Sequence, residues 1–163
     1  MASERKKRPA RRVRHPAAKR SSERAVSFRY IETSALLSAL LEQDTSAQRA
    51  VTDRGRRITS ALTFAEATRG LIRARLGRRI SAEDERAGLR WLRAFRRSCD
   101  VMHVSESVLV RAGRPYPQEP IRTLDAIHLA TAGEIGEPPQ MITIVTRDER
   151  VRSNAQALGH PTE

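Results

Sequence analysis

The chain contains one Ala-rich, apolar stretch with a single acid near its start, Arg122-Thr-Leu-Asp-Ala-Ile-His-Leu-Ala-Thr-Ala132. The pattern predicts a buried helix in which Thr123 caps the start and Asp125 lies in the first turn. Backbone N–H groups and the helix dipole favour an ionised carboxylate there, and a fixed anion at a helix start suits a hard metal ion. From this stretch alone, Asp125 could equally do no more than complete the helix start, so other acids must decide its role.

The rest of the chain alternates between short β-prone runs and amphipathic helical patterns. The β-prone runs are Phe28–Ile31, Arg57–Ser60, Val101–Val104 and Met141–Val145. The last run is apolar enough to be a central strand of a parallel sheet. This repeated alternation of strands and helices predicts an α/β fold with a mainly parallel sheet.

Acids follow three of these runs: Glu32 after the first, Glu66 after the second and Asp148 after the last. Because ligands bind beyond the carboxyl ends of strands in open parallel sheets, we expect these acids and Asp125 to face one cleft. Four carboxylates repel one another unless protons or cations neutralise them, so a metal site is the simplest explanation. Oxygen ligands favour Mg²⁺ or Mn²⁺ over zinc, and such an ion can support hydrolysis of a phosphodiester.

Two of the acids in these segments also have a structural interpretation. Thr63-x-x-Glu66 and Thr146-x-x-Glu149 both match the capping box, in which the acid bonds back to the start of its own helix. Glu66, in the first turn of a helix that begins near Thr63, would alone be structural. If Glu149 is the capping acid, Asp148 is the freer of the two for other work.

Three further features have a structural and a functional interpretation. His128, one turn after Asp125, is a candidate base, but we expect it to lie against the core because a metal can activate water without it. Trp91 and Phe95 are expected in the core rather than in a base-stacking platform. A stripe of arginines at helical spacing could meet RNA phosphates or an acidic partner, although a charged helix face is usually solvated; its members are Arg86, Arg90, Arg93 and Arg97.

Composition indicates one globular domain. The chain has 163 residues, of which 39% are hydrophobic, enough to bury a core. Cys99 is the only cysteine, which excludes an intramolecular disulfide and a cysteine-rich zinc site. The sequence has no apolar run long enough to cross a bilayer and no apolar secretory segment after its basic start. We therefore expect a cytoplasmic protein without a membrane partner.

Residues 1–27 differ in composition from the rest of the chain. They carry +8 of the formal net charge of +12 and all three lysines. We predict a disordered basic arm at 1–27 and a folded domain at 28–163. The arm could bind nucleic acid through phosphates, act as a solubilising tail, or result from a start codon assigned too far upstream, with Val26 as the natural start.

At the acidic positions the sequence resembles the PIN-domain family, most closely the bacterial VapC-type toxin ribonucleases. The resemblance covers nearly all of residues 28–159 and implies a three-layer α/β/α fold with a short, mainly parallel sheet. It also implies a Mg²⁺- or Mn²⁺-dependent endoribonuclease that acts on RNA, homodimerisation, and inhibition by a cognate antitoxin protein. The resembling segments are Tyr30-Ile-Glu-Thr-Ser-Ala-Leu36, Ser60-Ala-Leu-Thr-Phe-Ala-Glu66, Arg122-Thr-Leu-Asp-Ala-Ile-His-Leu-Ala130 and Val145-Thr-Arg-Asp-Glu-Arg-Val151.

Matched position by position, the resemblance makes Glu66, Asp125 and Asp148 acids of the metal site, with Thr146 as a polar support. Glu32 falls where the family usually has Asp, which keeps the charge but changes the geometry. We therefore expect these four acids to be both catalytic and metal-binding. The chain also departs from the family in the 27 residues before Phe28 and in a short C-terminus that leaves little of the last edge strand.

Three functions follow from these observations. The first is an RNA-cleaving toxin, and the second is a catalytically weakened PIN-like protein that binds RNA or an antitoxin, disabled by Glu32. The third, a basic helical DNA-binding regulator, has no use for the apolar strand 141–145 or for acids at strand ends. Mg²⁺-dependent cleavage of RNA that EDTA abolishes distinguishes the first from the second.

Overall fold

The computed structural model describes residues 28–53 and 55–163, and the predicted basic arm, residues 1–27, lies outside the described residues. In this part the chain forms strands β1–β4 and helices α1–α7, with a short 3₁₀ turn at Pro139–Met141. The strands are β1 Phe28–Ile31, β2 Arg56–Ser60, β3 Asp100–Met102 and β4 Ile142–Val145. The helices are α1 Thr33–Leu41, α2 Thr45–Thr52, α3 Ala61–Leu76, α4 Ala82–Arg96, α5 Glu106–Ala112, α6 Thr123–Gly133 and α7 Glu149–Ala157.

The strands form one parallel sheet in the order β3-β2-β1-β4. The chain moves outward from β1 through β2 to β3 and then crosses back to place β4 on the other side of β1. The topological switch point of the sheet therefore lies between the carboxyl ends of β1 and β4, where ligands bind in open α/β sheets. The Glu32 N–H donates to the Val145 carbonyl over 3.0 Å and extends the pairing to this point.

Helices cover both faces of the sheet, because successive strand residues point to opposite sides. Ile31 and Val145 pack into one core with residues of α1–α4. Tyr30 and Ile144 pack into a second core with residues of α6 and α7 on the other face. The prediction of a three-layer α/β/α fold with a parallel sheet is confirmed.

The position of β4 differs from the prediction. This strand is the most apolar in the chain, yet it lies at one end of the strand order rather than in the centre. The last residues of the chain shield its outer side: the Ile144 N–H donates to the Pro161 carbonyl over 2.8 Å, and the Glu163 N–H donates to the Ile144 carbonyl over 3.0 Å. A minimal edge segment at 161–163 thus explains how an apolar strand can stand at this position.

None of the helices in the described ranges is both long and apolar enough to span a lipid bilayer.

Two glycines allow close approach between helices. A Cβ atom added at Gly88 of α4 would lie 2.9 Å from a methyl carbon of Leu71 on α3. A Cβ atom added at Gly70 of α3 would lie 2.7 Å from a methyl carbon of Leu37 on α1. Leu71 is only 1% exposed, whereas Leu37 is partly buried, so the two leucines differ in how freely they can move away.

We expect Gly88→Ala to lower the free energy of unfolding by about 1–3 kcal/mol, because the added methyl group would overlap the buried Leu71 side chain and force it to shift. Gly70→Ala should stay within about 1 kcal/mol of wild type, since Leu37 can swing outward and alanine favours the helix by about 1 kcal/mol. Urea unfolding of the two variants measures the difference. Equal free energies of unfolding would contradict this account of the α3–α4 contact.

Candidate active site

Glu32 lies at the switch point and caps α1. Its two carboxylate oxygens are each 3.0 Å from the Ser34 backbone nitrogen. The Ser34 hydroxyl also donates to Oε2, and the Thr146 hydroxyl donates to the same oxygen over 2.9 Å. The residue is 5% exposed. These donors satisfy the hydrogen-bonding capacity of the buried carboxylate, as is typical of an acid that caps a helix.

The loop after β4 is fastened to this site through Ser34. The Arg147 N–H donates to the Ser34 hydroxyl over 2.7 Å, and the Arg147 guanidinium donates to Asp44, the cap of α2, over 3.0 Å. Hydrogen bonds from the start of α2 and from Arg147 lower the pKa of Asp44 below its ordinary value. These contacts hold the β4 loop, and with it Asp148, against the starts of α1 and α2.

Asp148 caps α7, because its Oδ1 accepts from the N–H groups of Arg150 at 2.8 Å and Val151 at 3.4 Å. The predicted capping box of Thr146 and Glu149 is therefore wrong. The Thr146 hydroxyl accepts instead from the Asp148 N–H over 3.1 Å, while Glu149 bonds further along the helix. We expected Glu149 to be the capping acid and Asp148 to be the freer one, but Asp148 is the cap. Only one of its two oxygens, Oδ1, accepts the capping hydrogen bonds.

Glu66 has no capping role either. Helix α3 begins at Ala61 with Ser60 as its cap, so Glu66 lies beyond the first turn and the second predicted capping box is also wrong. Its Oε2 accepts from the Thr33 hydroxyl over 2.7 Å and lies 2.7 Å from His128 Nε2. Burial raises the pKa of Glu66, but the hydrogen bonds from His128 and Thr33 outweigh it, and the pKa falls below its ordinary value. Glu66 is thus held as an anion.

His128 is 1% exposed, which confirms that it lies in the core. Its ring nevertheless belongs to the site. Nε2 contacts Glu66 and lies 4.0 Å from Glu32 Oε1, and Nδ1 is 2.9 Å from the Tyr30 hydroxyl. Burial, and next the carboxylate of Glu32, raise the pKa of Tyr30 well above its ordinary value, so this hydroxyl keeps its proton.

Asp125 lies in the first turn of α6, as predicted, but the cap is not the predicted one. Arg122 is the capping residue and makes no side-chain cap bond, while Thr123 is already helical. Burial, followed by the neighbouring carboxylates of Asp148 and Glu32, raises the pKa of Asp125 above its ordinary value. The helix start therefore does not favour the ionised form as strongly as we expected. Asp125 Oδ2 is buried and has no hydrogen-bond partner in the described part of the chain.

The acids of the site are coupled, but their side chains do not form a finished coordination shell. The carboxylates of Asp148 and Glu32 contribute to the raised pKa of Asp125. His128 Nε2 lies 4.0 Å from Glu32 Oε1 and 2.7 Å from Glu66 Oε2. Within residues 28–53 and 55–163, no group of three or more His, Cys, Asp or Glu side chains is arranged to hold a metal ion. The donor chemistry nonetheless fits a hard cation, because the unpartnered buried oxygen of Asp125 lies near the carboxylates of Asp148 and Glu32 and a cation would compensate their charge.

Comparison with known proteins identifies the fold and the family. Residues 29–156 match the PIN domain. Ribonuclease VapC46 of Mycobacterium tuberculosis is 38% identical over 132 residues, which are 80% of this chain and 92% of that protein. The chain belongs to the PIN-domain family. The resemblance found in the sequence to PIN domains of the VapC type is thereby confirmed.

Solved structures agree on the fold of this PIN domain. VapC20 of Mycobacterium tuberculosis, a sarcin–ricin loop cleaving toxin, superposes with a TM-score of 0.56 at 16% identity and covers 77% of this chain and 93% of its own. VapBC2 of Rickettsia felis, solved bound to a DNA fragment from its promoter, gives 0.53 at 13% identity and covers 83% and 97%. At these identities the likeness concerns the fold alone.

The predicted polar support, Thr146, does bond to Glu32, but sequence patterns missed the other polar residues that support the acids of the PIN domain. Local patterns gave no role at the site to Thr33 and Ser34 and placed Tyr30 only in a strand, but each of the three bonds to a site residue. Tyr30 and His128 are 98 residues apart in sequence, so no local pattern could have paired them. The one available signal was Thr33 and Ser34 beside Glu32, since hydroxyl groups next to an acid at a helix start often bond to it.

The outer face of α4 agrees with a solvated helix face. All four arginines of the stripe are exposed, and they are Arg86, Arg90, Arg93 and Arg97. Trp91 stacks on Phe95 with ring centroids 5.4 Å apart, and Phe95 belongs to the core. Phe95 is confirmed as a core residue, and Trp91 is partly buried against the same core.

Removal of the Asp125 charge should stabilise the metal-free PIN domain. The folded-state pKa of Asp125 is raised, so its ionised form opposes folding at neutral pH, and this penalty disappears as the pH falls below the unfolded value of roughly 3.9. We expect Asp125→Asn to melt about 1–3 °C above wild type in EDTA at pH 7.5, a modest gain because the site is partly solvated. Near pH 4 the gain should shrink.

Asp100→Asn is the matched control, because exposed Asp100 pairs with Arg56 at 2.6 Å at the opposite end of the sheet. This variant should melt at or below the wild-type temperature. A lower melting temperature for Asp125→Asn than for wild type in EDTA at pH 7.5 would mean that Asp125 is not electrostatically strained.

Proposed function

We propose that this PIN domain is a metal-dependent endoribonuclease and the toxin component of a toxin–antitoxin pair. The observation that carries the proposal is the environment of Asp125. One of its oxygens is buried without a hydrogen-bond partner in the described part of the chain, and burial and the nearby carboxylates of Asp148 and Glu32 raise its pKa. Such an arrangement is unfavourable in an empty structural site and favourable around a cation. The relative VapC46 carries the name ribonuclease, and this supports RNA as the substrate.

The residues that would hold the ion are Glu32, Glu66, Asp125 and Asp148. Mg²⁺ or Mn²⁺ suits an all-oxygen set and, when bound, supplies charge neutralisation and a water of lowered pKa for attack on phosphorus. The chain's own contribution is to hold the side chains in place: helix-start N–H groups bond to Glu32 and Asp148, and His128 and Thr33 bond to Glu66. Asp125 would contribute Oδ2, a buried oxygen that has no hydrogen-bond partner in the described part of the chain.

Glu32 is the basis of the second candidate function, a catalytically weakened PIN domain that binds RNA or an antitoxin. Its extra methylene relative to Asp displaces the carboxylate by about one bond length, roughly 1.5 Å. Misplacement of about 1 Å can lower a rate about 100-fold. In this fold the longer side chain folds back onto the Ser34 N–H and the Thr146 hydroxyl, contacts that compete with a metal for its oxygens.

Two partners belong to the proposal. The first is an antitoxin protein, supported by the fold likeness to VapBC2. The second is another copy of the chain in a homodimer. Exposed apolar side chains on α5 and α6 could contribute to such a contact; they are Leu109, Val110 and Leu124.

A divalent cation should stabilise the wild-type protein through Asp125. Ligand that binds only the folded state adds about 2.7 kcal/mol at 100 times its dissociation constant, so Mg²⁺ or Mn²⁺ should raise the melting temperature by several degrees. Asp125→Asn should lose most of this shift, and Asp100→Asn should keep it. In the same buffers, wild type should cleave bacterial RNA with Mg²⁺ and stop in EDTA, while Asp125→Asn should be at least about 100-fold slower.

Equal stabilisation of wild type and Asp125→Asn by the cation would remove Asp125 from the metal site. Cleavage that persists in EDTA would contradict the metal-dependent mechanism.

Substitutions of Glu32 separate the two candidate functions. Aspartate is a favoured helix cap, so Glu32→Asp should keep α1 intact. We also expect this variant to cleave RNA at least as fast as wild type. Glu32→Gln keeps the length but loses the charge, and we expect it to be nearly inactive. An inactive wild type with an active Glu32→Asp would favour the weakened PIN domain. If Glu32→Gln cleaves as fast as wild type in the same Mg²⁺ buffer, Glu32 has no role at the metal.

A further inference from the structure

A buried chain of hydrogen bonds runs from the middle of the sheet to the site. The Tyr30 hydroxyl on β1 lies 2.9 Å from His128 Nδ1 on α6, and His128 Nε2 lies 2.7 Å from Glu66 Oε2 on α3. Tyr30 and His128 are each 1% exposed. The Tyr30 and His128 rings meet edge to face with centroids 6.0 Å apart, which fixes the imidazole plane. Three elements distant in sequence thus meet at one carboxylate.

The acceptors determine the direction of these bonds. An ionised carboxylate has no proton to give, so the proton between His128 and Glu66 belongs to Nε2. If the other ring nitrogen, Nδ1, carries no proton, its lone pair can accept a hydrogen bond from the Tyr30 hydroxyl, which lies 2.9 Å away. The Thr33 hydroxyl donates to the same Glu66 oxygen over 2.7 Å. Both bonds use Oε2, and Oε1 takes part in neither.

We propose that Tyr30 and His128 are positioning residues for Glu66. Tyr30 fixes the orientation and tautomer of the His128 ring, and the Nε2–H of that ring holds Glu66 Oε2 so that Oε1 remains for a metal or a metal-bound water. Glutamate has three rotatable side-chain bonds. Because the Glu66 side chain is 22% exposed, it would sample several rotamers without these hydrogen bonds. This inference rests on the proposed function for its catalytic consequence, but not for its geometry.

Helix α6 carries both Asp125 and His128. Asp125 and His128 lie one turn apart on α6, so the contact of His128 with Glu66 sets the position of α3 relative to Asp125. Partners behind a ligand commonly change metal affinity or activity by about 10–100-fold when they are removed. The expected effect is therefore on the reaction and on metal affinity more than on RNA binding.

The first test is spectroscopic and needs neither metal nor RNA. Long-range ¹H–¹⁵N correlation spectra of wild type in EDTA should show His128 with a proton on Nε2 and a hydrogen-bonded, unprotonated Nδ1. In Tyr30→Phe the Nδ1 resonance should move toward that of a free lone pair. A proton on Nδ1, or an Nδ1 resonance unchanged in Tyr30→Phe, would overturn the proposal.

The second test compares variants by RNA cleavage and by Mn²⁺ titration followed by electron paramagnetic resonance. His128→Leu should lower kcat by about 10–100-fold and weaken Mn²⁺ by about 10-fold, with KM within about 2-fold of wild type. Tyr30→Phe should lower kcat by about 5-fold, less than His128→Leu because it removes a bond one step further from Glu66. His128→Gln can present an amide N–H near the position of Nε2 and should recover most of both losses.

His160→Gln and Tyr116→Phe are the matched controls. His160 is the other buried histidine in the described part of the chain, and its ring bonds to the backbone of Ile142 and Pro139. The Tyr116 hydroxyl donates to the Ala126 carbonyl. Both changes should leave kcat and Mn²⁺ affinity unchanged. A folded His128→Leu with wild-type kcat and Mn²⁺ affinity would overturn the positioning role. If wild type cleaves no RNA, the proposed function fails, and the spectra and Mn²⁺ affinities still decide the role of His128.

Discussion

Repulsion among carboxylates at the switch point is the constraint around which this edge of the domain is built. Burial and the carboxylates of Asp148 and Glu32 raise the pKa of Asp125. Its buried Oδ2 has no hydrogen-bond partner in the described part of the chain. Burying an unpaired anion costs free energy unless a proton or a cation compensates. The surrounding helix starts, hydroxyls and His128 spread negative charge over fixed donors, but none of them reaches that oxygen.

Parallel topology explains why the acids meet at all. Because β1 and β4 are neighbours with their carboxyl ends together, Glu32 and Asp148 enter the site from consecutive strands of the sheet although they are far apart in sequence. The crossover that carries α6 brings Asp125 to the same edge. Backbone architecture thus places the charges, and the side chains of Ser34, Thr146 and Arg147 then fix the loops that carry them.

Periodicity and strand-end position were enough to predict the α/β fold, the parallel sheet and the elements that carry the four acids. They were not enough to predict which acids cap helices. Thr63 and Thr146 had the spacing of capping boxes, yet the true caps are Ser60 and Asp148, because the helices begin at different residues from those that the pattern indicated. The contact between His128 and Glu66 depends on how α3 packs against α6, which local sequence does not encode. β4 was assigned to the centre of the sheet because its outer cover comes from only three residues at the chain's end.

We propose above all that these acids form one cation site in which Asp125 binds the ion directly. Anomalous diffraction from crystals of the wild-type protein soaked in Mn²⁺ tests it most directly, since the ion is located independently of any assay. We expect a strong anomalous peak at direct coordination distance, roughly 2 Å, from Asp125 Oδ2, with Glu32, Glu66 or Asp148 completing the shell directly or through water. A Mn²⁺ peak only at other acids of the surface, with none in reach of Asp125, would contradict it.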